Sequence, residues 1–178
     1  MSRDARGSRW AFTALIAGVG ALRIAELRLS ARNERTLRAR GGIEHARGQM
    51  PLMRAMHGAW FASALAEAWV ARPRVSRAQA AAGLAGLGTG MALRAASQRA
   101  LGDRWTATVM TVPGERRVQT GVFRWGRHPN YLGVAVEIAA VPLAGGAWRT
   151  AAVFSALNAA MLRARIAAEE RALAAGEG

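Results

Sequence analysis

Apolar residues are gathered into four long blocks that alternate with arginine-rich segments. The blocks cover residues 10–29, 57–71, 78–96 and 132–162. Such lengths are typical of helices that cross a membrane rather than of helices that cover one face of a soluble core. Pro142, Gly145 and Gly146 interrupt the last block, which we interpret as two helices joined by a tight turn. The pattern therefore predicts an all-α integral membrane protein with about five transmembrane helices, the last two forming a helical hairpin.

Charged residues inside the blocks qualify this prediction. The third block carries one charge, Arg94, close to its end, where we expect the long side chain to reach the lipid headgroups. The first block begins with Trp10, which suits an interfacial anchor, and contains charged residues in its last third. Glu67 lies in the short second block and Glu137 in the fourth.

The net charge of +14, from 25 basic and 11 acidic residues, would ordinarily suggest a nucleic-acid partner. The distribution of this charge along the chain is instead that expected from the topology of a membrane protein. Segments 28–54 and 99–127 hold most of the loop arginines and fall on the same side if the helices alternate in direction. The positive-inside rule assigns that side to the cytoplasm, with the amino end outside and the carboxyl end inside. We therefore expect a multi-pass membrane protein that binds no nucleic acid.

Two soluble alternatives remain open on these grounds, an alanine-rich helical bundle and a basic nucleic-acid-binding domain. The chain has no cysteine, which removes disulfides and thiolate metal ligands. We find no zinc-ligand spacing, phosphate loop or dinucleotide fingerprint, and no metal site is expected. The glycine-rich stretch at 83–90 is interpreted as a surface for close helix packing.

Polar residues that could carry chemistry form two clusters that flank the last apolar block. In the first, His128 precedes Pro129, which is typical of the first position of a helix and leaves free backbone N–H groups there. In the second, Arg165 and Glu169 are four residues apart and share one helix face. The hairpin between the clusters should bring His128, Tyr131, Arg165 and Glu169 together on the cytoplasmic side.

These two motifs, Arg-His-Pro-Asn-Tyr-Leu-Gly at 127–133 and Arg-Ile-Ala-Ala-Glu-Glu-Arg-Ala-Leu at 165–173, resemble the signature of the isoprenylcysteine carboxyl methyltransferase family. The resemblance covers residues 99–175 and implies an integral membrane methyltransferase that uses S-adenosylmethionine. It implies a division into the first three helices with a basic cytoplasmic loop, residues 1–98, and a methyltransferase region, residues 99–178, within one structural domain.

The resemblance also implies roles for individual residues. Arg165 and Glu169 would be the catalytic pair, with Arg165 contacting the substrate. The positions that would bind the cofactor are Val118, Phe123, His128, Pro129, Asn130, Tyr131 and Glu169. The chain departs from the family at two of them. Phe123 replaces the usual tyrosine, so a hydroxyl contact is lost, and Val118 is the one residue of Glu-Arg-Arg-Val at 115–118 that agrees with the family's pattern.

Upstream, Asn33 to Gly42 and the Met53, His57 and Trp60 spacing resemble a bacterial subgroup associated with type III polyketide synthases. This implies a lipophilic acceptor of the alkylpyrone type, methylated on oxygen. Such an acidic acceptor is ionised near neutral pH, so the site needs no strong general base. A prenylcysteine carboxyl methyltransferase and a non-enzymatic membrane scaffold are the alternatives, and the oligomeric state stays open.

Overall fold

The computed structural model describes residues 3–176, so Met1, Ser2, Glu177 and Gly178, which end the two expected regions, lie outside it. Within the described residues the fold is a bundle of long helices. They are α1 (Arg3–Ala39), α2 (Gln49–Ala66), α3 (Arg77–Leu101), α4 (Pro129–Ala144) and α5 (Trp148–Gly176). A π-helical turn, Glu67–Ala71, extends α2, and short 3-10 turns occupy Gly102–Arg104 and Gly121–Arg124. The helical class and the hairpin of α4 and α5 are as predicted.

Helix α1 differs from the prediction because its 37 residues continue through the segment that we expected to be a basic loop. Residues 28–39 are helical, and one side of this stretch is covered. Ser30, Asn33 and Leu37 are buried there, while the arginines between them point outward. This spacing of three and four residues is that of a helix with one packed face.

Two three-residue strands, β1 (Ile43–His45) and β2 (Val109–Thr111), pair in an antiparallel ribbon. The ribbon joins the two arginine-rich segments, since β1 follows α1 and β2 follows α3. His45, which we expected in a loop, lies in β1, where its Nε2 is 2.8 Å from Thr111 Oγ1. Both segments therefore lie at the same end of the bundle.

The remaining connections meet at the opposite end. Trp69 Nε1 donates to Thr13 Oγ1 over 3.0 Å, which ties the end of α2 to the start of α1. The Glu67 carboxylate accepts from the backbone N–H groups of Arg149 and Thr150, over 3.1 and 2.8 Å. A carboxylate is favoured at this place because the first N–H groups of α5 have no partner within the helix. The loops thus fall into two sets at two ends.

Helices α3 and α4 lie almost backbone to backbone because glycines occupy their contact. A Cβ atom on Gly83 would stand 2.6 Å from the backbone nitrogen of Ala144. One on Gly90 would meet the carbonyl oxygen of Gly133 at 2.8 Å. The predicted use of the 83–90 stretch in close helix packing is confirmed.

Arg94 is not at the lipid headgroups, and this expectation was wrong. The residue is 8% exposed and its guanidinium forms ion pairs with Glu26 of α1 and Glu137 of α4. The long side chain turns inward because two carboxylates lie within reach in an otherwise apolar interior, where a charge must be paired.

Two helices of the described chain are long and apolar enough to cross a membrane, Arg6–Ala39 and Trp148–Ala175. Only 17% and 22% of their most apolar stretches are buried inside the protein. A core helix of a soluble protein would be mostly buried, so this exposure favours lipid over water around the bundle. Pro129–Ala144 is equally apolar in character but shorter.

The α3–α4 contact gives a matched pair of variants. We expect Gly83→Ala to destabilise the protein by about 1–3 kcal/mol, because the added methyl group would overlap the α4 backbone. Gly88→Ala, on the same helix with nothing within 4 Å of the added atom, should be neutral or slightly stabilising. Thermal unfolding of both variants in detergent checks the difference, and equal unfolding temperatures would contradict the packing described.

Candidate functional site

The first turn of α4 supplies one half of the site. The helix begins at Pro129 with His128 as its N-cap, as the His-Pro dipeptide predicts. The first hydrogen bond within the helix runs from Leu132 N to His128 O, so the N–H groups of Asn130 and Tyr131 precede the helical ladder and point out of its end. This end is suited to an anionic ligand group.

Helix α5 supplies the other half, and the hairpin brings the two together. The Tyr131 hydroxyl donates to Glu169 Oε2 over 2.6 Å. The Tyr131 ring stacks on His128 with centroids 5.6 Å apart, and the Arg165 guanidinium carbon lies 5.8 Å from the Tyr131 centroid. The four residues that we expected to meet, His128, Tyr131, Arg165 and Glu169, are therefore neighbours.

Glu170 is a further member of the site that the sequence motifs did not single out. His128 Nε2 lies 2.7 Å from Glu170 Oε1, and Arg117 Nη1 donates to the same oxygen over 3.0 Å. Arg127 Nη1 pairs with the other carboxylate oxygen at 3.3 Å. Because a carboxylate accepts, Nε2 of His128 carries the proton in this contact. The surplus of arginines at 116–127 was the available signal that a carboxylate would face them.

Arg165 is buried, with 4% of its surface exposed, and its Nη2 donates to the carbonyl of Ala107 over 2.6 Å. That carbonyl belongs to the loop between α3 and β2, which α1 holds in place. Ser30 Oγ accepts from the Ala107 N–H over 2.8 Å, and Asn33 Nδ2 donates to the Trp105 carbonyl over 2.7 Å. The α1 extension thus fixes the loop against which Arg165 is oriented.

A cavity of about 640 Å³ opens among these residues. It is lined by every predicted site residue except Pro129, including Val118 and Phe123 from the connection before α4. Pro129 instead borders a second, apolar cavity of about 570 Å³ beside Trp125 and Leu132, and His128 stands between the two. The main cavity has a volume usual for a small-molecule site.

Three of the described residues that line this main cavity carry a buried polar atom without a protein partner. Within residues 3–176, Trp105 Nε1, Thr108 Oγ1 and Asn130 Oδ1 are buried and make no hydrogen bond. Buried polar atoms are nearly always paired, so a bound molecule or water would complete the hydrogen bonds of these three. No group of three or more His, Asp or Glu side chains in the described chain is arranged to hold a metal ion.

Some of the upstream residues that carried the second resemblance line the cavity. Met53 and His57 of α2 line it, and His57 Nδ1 is 2.8 Å from the Met53 carbonyl oxygen. Trp60 is 2% exposed and donates its indole N–H to the Ile138 carbonyl of α4 over 3.1 Å. Met53 and His57 thus border the cavity, while Trp60 joins α2 to α4.

Comparisons with known proteins identify a family and two relatives. Residues 83–175 match the model of the isoprenylcysteine carboxyl methyltransferase family. The chain is 33% identical over 163 residues to the uncharacterized protein YpbQ of Bacillus subtilis (strain 168), which covers 91% of this chain and 96% of that protein. It is 29% identical over 155 residues to an uncharacterized protein of Haemophilus influenzae (strain ATCC 51907 / DSM 11121 / KW20 / Rd), covering 86% and 89%. No solved structure matches the chain.

The contacts of Glu170 predict a measurable effect on stability. Glu170→Ala should cost about 2 kcal/mol, because it leaves Nε2 of the half-buried His128 without its acceptor and removes the carboxylate partner of Arg117, which keeps its contact with the Arg127 carbonyl. Asp103→Ala is the control, since Asp103 is 54% exposed and pairs at the surface with Arg40, a contact worth less than about 1 kcal/mol. Chemical or thermal unfolding in detergent compares them, and an equal loss would contradict a central place for Glu170.

Proposed function

The chain belongs to the isoprenylcysteine carboxyl methyltransferase family, and we propose that it transfers a methyl group from S-adenosylmethionine to an oxygen of a lipophilic acceptor, an alkylpyrone-type polyketide. One observation carries this proposal. The α4 motif and Arg165, which the family resemblance links to the donor and to the acceptor respectively, open onto the same cavity. Donor and acceptor would therefore meet there.

The residues of the cavity fit S-adenosylmethionine. The free N–H groups at the start of α4 suit its carboxylate, and the unpaired Trp105, Thr108 and Asn130 atoms suit its amine, ribose and base. Glu169 supplies negative charge near the bound sulfonium. Bound there, the donor supplies an electrophilic methyl group.

Arg165 is proposed to orient the acceptor. One of its N–H groups is engaged by the Ala107 carbonyl, which fixes the plane of the guanidinium and leaves further N–H groups for an anionic oxygen. A 4-hydroxypyrone or a carboxylic acid is ionised near neutral pH, so Arg165 orients an oxygen that is already deprotonated and nucleophilic. The acceptor oxygen gains the methyl group as the bond from the methyl carbon to sulfur breaks.

His128 has a supporting part in this scheme. Its Nε2–H is held by Glu170, which itself is fixed by Arg117, so the ring cannot rotate freely. The imidazole is stacked on Tyr131 and forms a side of the cavity. We propose that it shapes the donor site and does not transfer a proton.

We further propose that all five helices span the membrane, with the amino end outside and the site facing the cytoplasm. The separation of the loops into two sets at opposite ends of the bundle supports alternating directions. The end with the ribbon and the site carries the arginine-rich segments 28–54 and 99–127. Positive charge is retained on the cytoplasmic side.

The proposed division of labour predicts different outcomes for the two halves of the site. Arg165→Ala should leave the affinity for S-adenosylmethionine nearly unchanged and lower methyl transfer at least about 30- to 150-fold, since a charge-assisted contact to the acceptor is lost. His128→Ala, Tyr131→Ala and Glu169→Ala should weaken donor binding. Calorimetric titration beside a transfer assay measures both.

If Arg165→Ala lost donor binding and His128→Ala retained it, the assignment of His128 to the donor and Arg165 to the acceptor would be wrong. Parallel assays on an alkylpyrone and on a prenylcysteine analogue decide between the two acceptor classes. If the intact protein bound no donor, the scaffold alternative would replace the enzyme.

Topology can be tested because the chain contains no cysteine. A single cysteine at Arg74, in the exposed connection between the π-helical turn and α3, should react with a membrane-impermeant maleimide in intact cells. A single cysteine at Arg47, whose side chain is 73% exposed beside β1, should react only after lysis. Labelling in the opposite order would reverse the proposed orientation.

A further inference from the structure

Four charged side chains from three helices meet inside the bundle. Arg23 and Glu26 come from α1, Arg94 from α3 and Glu137 from α4. Arg23 Nη1 lies 2.7 Å from Glu26 Oε2 and 3.5 Å from Glu137 Oε2. Arg94 pairs with the same two carboxylates. We call these four residues the charged floor.

The position of the charged floor relative to the site follows from the helices that carry it. Glu26 precedes Ser30, which holds the Ala107 loop beside Arg165, by four residues, or about 6 Å along α1. Glu137 follows Tyr131 by six residues, or about 9 Å along α4. Arg23, Glu26 and Arg94 line the main cavity. The cluster therefore lies on the cavity wall one to two helical turns away from the half with Arg165 and Glu169.

The hydrogen bonds of the charged floor are incomplete. Nε of Arg23 is buried and has no hydrogen-bond partner in the described chain, whereas Nε of Arg94 and Oε1 of Glu137, which also lack one, face each other at 3.7 Å across their ion pair. The Arg94 side chain is only 9% exposed, and the two guanidiniums border the cavity. The Arg23 Nε–H is therefore a buried donor that the four residues leave unsatisfied among themselves, and such a donor is costly.

We propose that the charged floor is a second polar subsite, which holds an oxygen of the acceptor's head group while Arg165 orients the oxygen that is methylated. This rests on the proposed function and specifies its substrate class. The acceptor is a lipid whose polar head carries oxygens at separate positions, as a hydroxypyrone ring does. Its alkyl tail leaves the cavity sideways between helices, since an alkyl chain on the floor would cover unsatisfied charged groups.

The proposal is tested with a variant that removes one charge of each sign, Arg94→Met with Glu137→Met. This leaves the pair of Arg23 and Glu26 in place, and apolar residues of similar volume often replace a buried ion pair without loss of stability. The matched control is Arg38→Met with Glu44→Met, an ion pair between the end of α1 and β1 that does not line the cavity.

Two acceptors with equal alkyl chains are compared, a 6-alkyl-4-hydroxy-2-pyrone and a fatty acid, whose oxygens all lie at one end. The double variant should lower kcat/KM for the pyrone about 10- to 100-fold, mainly through KM, and change that for the fatty acid less than about threefold. The control should change neither. Equal losses for both acceptors, or none, would overturn the proposal.

Two further measurements keep the outcome decisive. If the double variant fails to fold, Arg23→Lys retains the charge beside Glu26 but removes the guanidinium Nε–H, and should lower kcat/KM for the pyrone alone, by about 3- to 10-fold. If the intact protein transfers methyl groups to neither acceptor, the proposed function fails. In that case calorimetric titration with the pyrone tests the subsite independently of methyl transfer. An equal Kd for the intact protein and for the variant would overturn the proposed subsite.

Discussion

Helices α3 and α4 can touch along their backbones because glycine stands at each crowded position, and the site depends on that approach. The stem of Arg94 lies over Gly133, where a Cβ atom would come within 2.7 Å of its Cγ. Through this gap Arg94 reaches Glu26 on α1, so the same contact that seats α4 also joins three helices by charge. With α4 seated, its first turn faces α5, and Tyr131 reaches Glu169. A larger residue at Gly90 or Gly133 would move every one of these groups.

Local sequence signals were sufficient for the elements that local chemistry determines. The His128-Pro129 start of α4, the glycine turn of the hairpin and the meeting of Tyr131 with Glu169 follow from helix caps, turn residues and helical spacing. The two strands could not be predicted from local signals, because three-residue strands have no distinctive sequence pattern and their pairing joins residues far apart in the chain. Arg94 was misjudged for the same reason, since its partners lie on other helices. Glu170 was not singled out, although the motif contains it. The motif does not show that arginines from another segment of the chain would surround this carboxylate.

The extension of α1 shows how a segment that looks like a solvated basic loop becomes part of a site. Its arginines face outward, while Ser30 and Asn33 on the covered face bind the backbone of residues 105–107. Those residues present the carbonyl that orients Arg165. The hydrogen bonds go to main-chain atoms and so set the path of the loop itself. The first helix therefore contributes to the chemistry of the last one without touching the reacting groups.

The ribbon of β1 and β2 has a consequence for the order in which the molecule is made. Its strands enclose α2 and α3, so pairing must wait until both helices have left the ribosome. Once Thr111 has emerged, however, the ribbon, the covered face of α1 and the 102–108 loop consist entirely of residues already synthesised. A nascent chain can thus complete one wall of the cavity before α4 and α5 exist. The hairpin of α4 and α5, which carries the motif residues, can then pack last against a surface that the earlier elements have already formed.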